Sequence, residues 1–458
     1  MTAMQEVKNI IIGFGKAGKT LAALFGQKGE ATVLIEQSPV MYGGTCINVG
    51  CIPSKFLITQ AERRRFSEVD PTSYYQTAIQ NKKTFIHQLN QANYNKVDQF
   101  DHVTIVDGRA HFVDEHTVAV DTATGEQRYT GERIFINTGA TPFIPAVPGL
   151  ELSERIHTSE TLMNLDKLPE TLTIIGSGFI GLEFASMYQQ FGSQVTVIDT
   201  KARILPREDE DVAEAVKERL EELGVQFIGE AELKQVDETK QGVTIRYNQA
   251  GTEHTLMATH VLVSTGRRAN VAELALNQAE IALSERGTIP VNETLQTAQP
   301  HIFALGDVNG GPQFTYVSLD DFRVIKNFLY GDGTYTTNER MSIATATFIS
   351  PPLAQVGLSE KQAKARNLPV QVAKLSAQMI PKAKILGDTT GFYKILVHKE
   401  TKEIVGATLF SQEAHEVINL IATVMQTKQP YTVLRDQMYT HPTMAEGLND
   451  VLGQITIA

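Results

Sequence analysis

The sequence predicts an α/β chain in three parts: two built on a repeated strand–turn–helix–strand unit, and a C-terminal α+β part that lacks it. Three observations predict this. The unit occurs twice, each copy closes on a similar later phrase, and the hydrophobic pattern changes character near residue 341. The length of 458 residues agrees with about three domains of roughly 150 residues each.

The first copy runs Ile10-Ile11-Ile12, then Gly13-Phe14-Gly15-Lys16-Ala17-Gly18, a helical stretch, and Ala31-Thr32-Val33-Leu34-Ile35-Glu36. The second runs Leu172-Thr173-Ile174-Ile175, then Gly176-Ser177-Gly178-Phe179-Ile180-Gly181, a helical stretch, and Gln194-Val195-Thr196-Val197-Ile198-Asp199. The acid follows the first glycine at the same distance in both. The glycines permit a tight turn and let a pyrophosphate approach the helix N-terminus, and the acid can accept hydrogen bonds from a ribose diol. One Gly-x-Gly-x-x-Gly alone could be a surface turn. With strand, helix and acid in place, each copy reads as a Rossmann-like dinucleotide-binding unit. Two copies imply two dinucleotides, and a flavin with a nicotinamide cofactor is the economical pair, because one can reduce the other.

The first unit closes on Ile134-Phe135-Ile136-Asn137-Thr138-Gly139-Ala140, the second on Val261-Leu262-Val263-Ser264-Thr265-Gly266-Arg267-Arg268. A further strand-like run, His301–Leu305, ends in Gly306-Asp307. Past a boundary at Gly331-Asp332-Gly333, before Met341, no glycine fingerprint appears. Phe392–Val397 and Ile404–Phe410 read as paired strands around the polar turn His398–Glu403. Ala414–Gln426 has helical spacing at Val417, Leu420, Ile421 and Val424. This part is expected to pack rather than to bind a nucleotide.

The net charge of −11 argues against a general nucleic-acid binder, which needs a basic surface. No apolar run reaches the roughly 18 residues of a membrane span, and the N-terminus lacks the layout of a secretory signal. The expected compartment is the cytoplasm, where structural disulfides are rare.

Against that background stand two cysteines, both in Gly43-Gly44-Thr45-Cys46-Ile47-Asn48-Val49-Gly50-Cys51-Ile52-Pro53-Ser54-Lys55. A structural disulfide closing so small a loop would stabilise by only about 2 kcal/mol. A zinc site needs about four ligands, and no further cysteine exists to help. Glycines and a proline around the pair are not the pattern of inert core residues. Two thiols on one turn, after a Gly-Gly step and at the start of a helix, gain thiolate character from the helix dipole. As a disulfide that reduces readily beside a flavin, they could pass two electrons onward.

The Cys-x4-Cys phrase, the two fingerprints and His441-Pro442-Thr443-Met444-Ala445-Glu446 together resemble the class I pyridine nucleotide–disulfide oxidoreductases, over essentially the whole chain. That family includes glutathione reductase, dihydrolipoamide dehydrogenase and mercuric reductase. The resemblance implies an FAD-binding domain at 1–145, an NAD(P)H-binding domain at 146–270, a central segment at 271–340 completing the first, and a dimer-interface domain at 341–458. It implies that Gly13, Gly15, Gly18 and Glu36 hold the ADP half of FAD, and that Asp307 bonds the ribityl chain. Gly44, Thr45, Thr138, Gly139 and Gly306 join the flavin set. Gly176, Gly178, Ile180, Gly181, Asp199, Gly266 and Arg267 join the nicotinamide set, with Phe179 as the aromatic gate over that pocket. Cys51 would be the thiolate next to the flavin, and Cys46 the interchange thiol that attacks substrate. His441, supplied by the partner of a homodimer, would be the acid–base near Cys46, oriented by Glu446; histidine is the natural proton shuttle near neutral pH. Lys55 and Glu183 would pair beside the flavin. Glu183 falls on the apolar stripe of its helix with Ile180, Phe184, Met187, Tyr188 and Phe191, and a buried carboxylate demands a partner.

Asp199 favours NADH, because an acid repels the 2′-phosphate of NADPH, although Lys201 and Arg203 follow closely and could hold that phosphate. No cysteine follows Cys51, so the extra C-terminal thiol pair of mercuric reductases and large thioredoxin reductases is missing. The expected substrate is therefore a small-molecule oxidant, and no metal site is expected. The charged fingerprint with Lys16 and Lys19, the phrase Phe348-Ile349-Ser350-Pro351-Pro352, and the end from Pro430 to Asp450 resemble the reactive-chlorine-resistance flavoproteins. That group is associated with reducing hypothiocyanous acid and Cu(II) in oxidant defence. A dihydrolipoamide dehydrogenase and a Cu(II) or Hg(II) reductase remain alternatives.

Overall fold

A computed structural model describes residues 4–340 and 343–456; Met341, the expected start of the C-terminal part, lies outside the described residues. The first glycine turn joins β1 (Met4–Ile12) to α1 (Lys16–Gln27), and β2 (Thr32–Glu36) follows. The cysteine phrase builds α2 (Thr45–Asn48) and α3 (Cys51–Arg64). A long α4 (Pro71–Asp98) leads into β3 (Val103–Asp107), β4 (Arg109–Phe112), β5 (Thr117–Thr122) and β6 (Gly125–Ile136). Asp70 caps α4 by accepting from the amides of Thr72 and Ser73, and Pro71 fits its first position.

These strands form one sheet in the order β3-β2-β1-β6-β5-β4, parallel from β3 to β6 and antiparallel beyond. Every residue of β2 is buried, as expected for a parallel strand covered on both faces. The chain passes from β1 to β2 on one side and returns to β6 on the other. Such a reversal opens a crevice at the strand's C-terminal end, and the first glycine turn sits there.

The second unit repeats the plan. It comprises β7 (Ala140–Pro142), β8 (Ile156–His157), α5 (Ser159–Leu162), β9 (Thr171–Ile175), α6 (Phe179–Phe191), β10 (Gln194–Ile198), α7 (Glu210–Glu222) and β11 (Gln226–Ile228). An antiparallel meander, β12 (Ala231–Thr239), β13 (Gly242–Gln249) and β14 (Thr252–Ala258), precedes β15 (His260–Val263) and β16 (Arg267–Ala269). The parallel order is β11-β10-β9-β15-β8, with the second fingerprint at the end of β9. The run at His301–Leu305 forms β17 (Ile302–Ala304), which pairs with the last residues of β6 and so returns the chain to the first sheet. α8 (Thr315–Tyr330) then packs against α1.

The C-terminal part is a five-stranded antiparallel sheet. Its elements are β18 (Thr345–Thr347), β19 (Leu353–Gly357), α9 (Glu360–Ala365), β20 (Val370–Ser376), α10 (Pro381–Leu386), β21 (Phe392–His398), β22 (Ile404–Phe410), α11 (Ala414–Gln426), α12 (Thr432–Arg435) and α13 (Gly447–Gly453). The expected strand pair and helix are all present. One stripe residue differs: Leu420 is exposed, while Ala414, Val417, Ile418, Ile421 and Val424 are buried. The buried set follows the i, i+3, i+4, i+7 spacing of one face, which position 420 leaves.

A buried ammonium ties the second unit to this sheet. Lys394 Nζ on β21 lies 3.0 Å from Asp209 Oδ2, 3.0 Å from Asp211 Oδ1 and 2.7 Å from Glu360 Oε2. Burial works against the charge on Asp209, but the Lys361 amide and Lys394 hold its pKa below the ordinary range. Removing one partner of a buried pair strands the others. Lys394→Met is expected to destabilise the protein by about 3 kcal/mol in chemical denaturation near neutral pH. The lowered Asp209 pKa makes this contribution present above about pH 4 and lost as pH falls through the folded value, so the two proteins should converge in acid.

Candidate active site

The two glycine turns have the same geometry. Gly13 and Gly176 both have φ of +105°, a conformation that side chains resist. A Cβ on Gly18 would run into the carbonyl oxygen of Gly13, and one on Gly181 into that of Gly176, so the third glycine lets each helix start against its strand. Asn137 locks the first turn: its Oδ1 accepts from the Gly18 amide at 2.9 Å and its Nδ2 donates to the Leu305 carbonyl at 2.7 Å. Glu36 Oε2 accepts from the Phe14 amide at 3.0 Å, and burial pushes the Glu36 carboxyl up to about 7. Asp199 accepts from the amide and hydroxyl of Ser177, each at 2.7 Å, and from the Lys201 amide at 2.9 Å. Burial opposes its charge, but those bonds hold its pKa below the usual value.

Both turns therefore offer uncapped helix N-termini, at Gly15 and Gly178, beside an acid fixed at the end of the next strand. This donor set fits the pyrophosphate and ribose of a dinucleotide twice over. Gly44 packs against Gly15, which places the cysteine loop on the first turn. Thr138 Oγ1 donates to the Asn270 carbonyl at 2.7 Å, and the strand pair β7–β16, with Arg267, links the two units behind Gly139 and Gly266. Asp307 follows Gly306 after β17; burial pushes its carboxyl up, against the field of Arg267.

The cysteines occupy two helix starts rather than one turn. Cys46 is the second residue of α2 and half-buried; Cys51 is the first residue of α3 and exposed. They form one titrating pair. The hydrogen bond from Cys46 pulls the Cys51 thiol down, helped by the Lys55 charge, while the same bond and burial push Cys46 up. Thr315, opening α8, brings its hydroxyl within 3.8 Å of Cys51 Sγ.

Lys55 and Glu183 meet as expected, with Nζ 2.7 Å from Oε2 and the glutamate side chain only 7% exposed. Its other oxygen accepts from the Phe348 amide at 2.8 Å, and the ammonium lies 4.8 Å from the centre of the Phe348 ring. Ile180 is half-buried, whereas Phe179 is 44% exposed at the start of α6, not packed into the core. His441 Nδ1 lies 2.8 Å from Glu446 Oε2, and the imidazole is 71% exposed. Glu446 Oε1 is buried without a hydrogen-bond partner among the described residues. The structure thus brings Cys46, Cys51, Lys55 and Glu183 together, and pairs His441 with Glu446.

Three contributors escaped the sequence analysis as site residues: Asn137, Thr315 and Phe348. Asn137 lies within the closing phrase Asn137-Thr138-Gly139, which could have pointed to it. Thr315 and Phe348 carry no local signal, because only the folded chain brings them to the cysteines and to Glu183.

The sequence matches the family described as pyridine nucleotide-disulphide oxidoreductase over residues 7–321 and its dimerisation domain over residues 343–452. It is 39% identical over 453 residues to a probable pyridine nucleotide-disulfide oxidoreductase, RclA, of Escherichia coli K12, covering 99% of this chain and all of that one. It is 31% identical to a dihydrolipoyl dehydrogenase of Geobacillus stearothermophilus, covering 96% of this chain and 94% of that one. Among solved structures, the Cu(II) complex of the HOCl-induced flavoprotein disulfide reductase RclA from E. coli superposes with a TM-score of 0.94 at 39% identity, covering 99% of this chain and 100% of that one.

The Lys55 and Glu183 charges act on Cys51 with opposite sign. In a Cys46→Ser background Cys51 is the sole thiol, so alkylation rate against pH reads it alone. Lys55→Met is expected to raise its midpoint by about half a unit or more, and Glu183→Gln to lower it by a similar amount.

Proposed function

The chain belongs to the pyridine nucleotide-disulphide oxidoreductase family, and from that premise we propose that it works as a homodimer that uses a nicotinamide cofactor to reduce hypothiocyanous acid to thiocyanate. Gly13, Gly15, Gly18, Glu36, Gly44, Thr45, Thr138, Gly139, Gly306 and Asp307 would hold FAD. Gly176, Gly178, Phe179, Ile180, Gly181, Asp199, Gly266 and Arg267 would hold the nicotinamide dinucleotide. Bound FAD would carry two electrons from that dinucleotide to the cysteine pair.

The observation that carries the reading is the unequal pair of thiols, with Cys51 the readier thiolate and Cys46 its neighbour. The Cys46 thiolate attacks the sulfur of hypothiocyanous acid, forming a sulfenyl thiocyanate and releasing hydroxide. The Cys51 thiolate then attacks Cys46 Sγ, closing the disulfide and expelling thiocyanate. The dithiol loses two electrons and the oxidant gains two. His441 of the partner subunit would take the proton from Cys46 and return it to the departing oxygen, held in one tautomer by Glu446. NADH is the favoured donor, since Asp199 is kept anionic and Arg203 is engaged with the Glu208 carbonyl.

The solved relative that holds Cu(II) favours a second reading, metal-ion reduction. In that reading the cysteine pair and the bound flavin would pass electrons to the metal ion.

Purified holoenzyme should oxidise NADH much faster with hypothiocyanous acid than without, and Cys46→Ser should abolish that increment. An increment with lipoamide or Cu(II) alone would replace the acceptor. Mixed dimers test the shared site. Cys46→Ser and His441→Ala chains, each inactive alone, should together form dimers with one intact site and about half the native rate per dimer. Absence of complementation would place His441 with its own cysteines.

A further inference from the structure

The first fingerprint carries a cation that the proposed chemistry has not used. Lys19 leaves α1 one turn after Gly15, and its Nζ lies 2.6 Å from Asn93 Oδ1 and 3.2 Å from the Gly43 carbonyl oxygen. Asn93, buried on α4, donates its own amide to the Leu89 carbonyl at 2.7 Å, which turns its oxygen toward the ammonium. Gly43 begins the Gly-Gly step that sets Cys46 at the second residue of α2. Lys19 therefore grips the backbone three residues ahead of the thiol.

Its neighbours are unusual for a half-buried ammonium. Both hydrogen-bond acceptors are neutral, and no carboxylate pairs with it among the described residues. The charged groups acting on it are Lys16 from its own helix, Lys96 from α4, and Cys46. Burial and the two lysines pull its pKa down to about 8, while Cys46 alone pulls it back up. The effect is mutual, since a charge that favours the ammonium is itself favoured by it. Cys51 has its own aids in the α3 N-terminus and Lys55; Cys46 is the thiol pushed up, with Lys19 among the few groups pulling it down.

We propose that Lys19 is a positioning residue for the interchange thiol: it clamps the Gly43 carbonyl and supplies the positive field in which Cys46 becomes a thiolate. This rests on Cys46 being the thiol that meets the acceptor, but its test needs neither acceptor nor nicotinamide. Each thiol then has a cation from a different helix, Lys55 of α3 for Cys51 and Lys19 of α1 for Cys46.

In a Cys51→Ser holoenzyme Cys46 is the only thiol, and its alkylation by iodoacetamide can be followed from pH 6 to 10 with Lys, Met, Gln or Arg at position 19. Lys19→Met and Lys19→Gln are expected to raise the midpoint by about one unit, slowing alkylation at pH 7 about tenfold. Lys19→Arg should hold the rate within about threefold of the lysine form, because it keeps the charge. Superimposed profiles for lysine, methionine and glutamine would overturn the proposal. So would loss of bound flavin by both neutral variants, which would make the lysine a structural cation.

Discussion

Glu183 is the constraint on which the arrangement depends. Its carboxylate sits in the otherwise apolar face of α6, where an unpaired charge would cost several kcal/mol. One oxygen accepts from Lys55 of the cysteine helix and the other from the Phe348 amide of the C-terminal part. A single buried group thereby fixes three segments that are remote in sequence. Lys55 cannot swing away from Cys51 without stranding that charge, so the field at the thiol is set by packing rather than by a mobile side chain.

The inequality of the two thiols follows from their places on the backbone. Cys51 opens a fourteen-residue helix and has a lysine one turn on, whereas Cys46 sits in a four-residue helix behind a Gly-Gly step. The longer helix has the larger dipole and holds the readier thiolate. Both fingerprints place their cradles at the C-terminal ends of central strands, and β7–β16 joins the two units between them.

Much of this was legible in sequence, because the signals are local. The repeated turn, the spacing to Glu36 and Asp199, and the position of Glu183 on an apolar stripe all follow from period and neighbourhood. Leu420 shows the limit: an apolar residue on a helix can face outward, and only tertiary packing decides. Thr315 reaches Cys51 from another helix, and the backbone amide of Phe348 reaches Glu183; neither contact has a sequence signature. The exposed His441 is held by Glu446 five residues on, a contact its sequence spacing allows.

The central claim is that Cys51 is the thiolate beside the flavin and Cys46 the thiol that meets the acceptor. The most direct measurement compares the visible absorption of the two holoenzymes Cys46→Ser and Cys51→Ser without reductant. A long-wavelength band in Cys46→Ser, fading as pH falls and absent from Cys51→Ser, is the predicted result. A band in Cys51→Ser instead, or in neither, would contradict it.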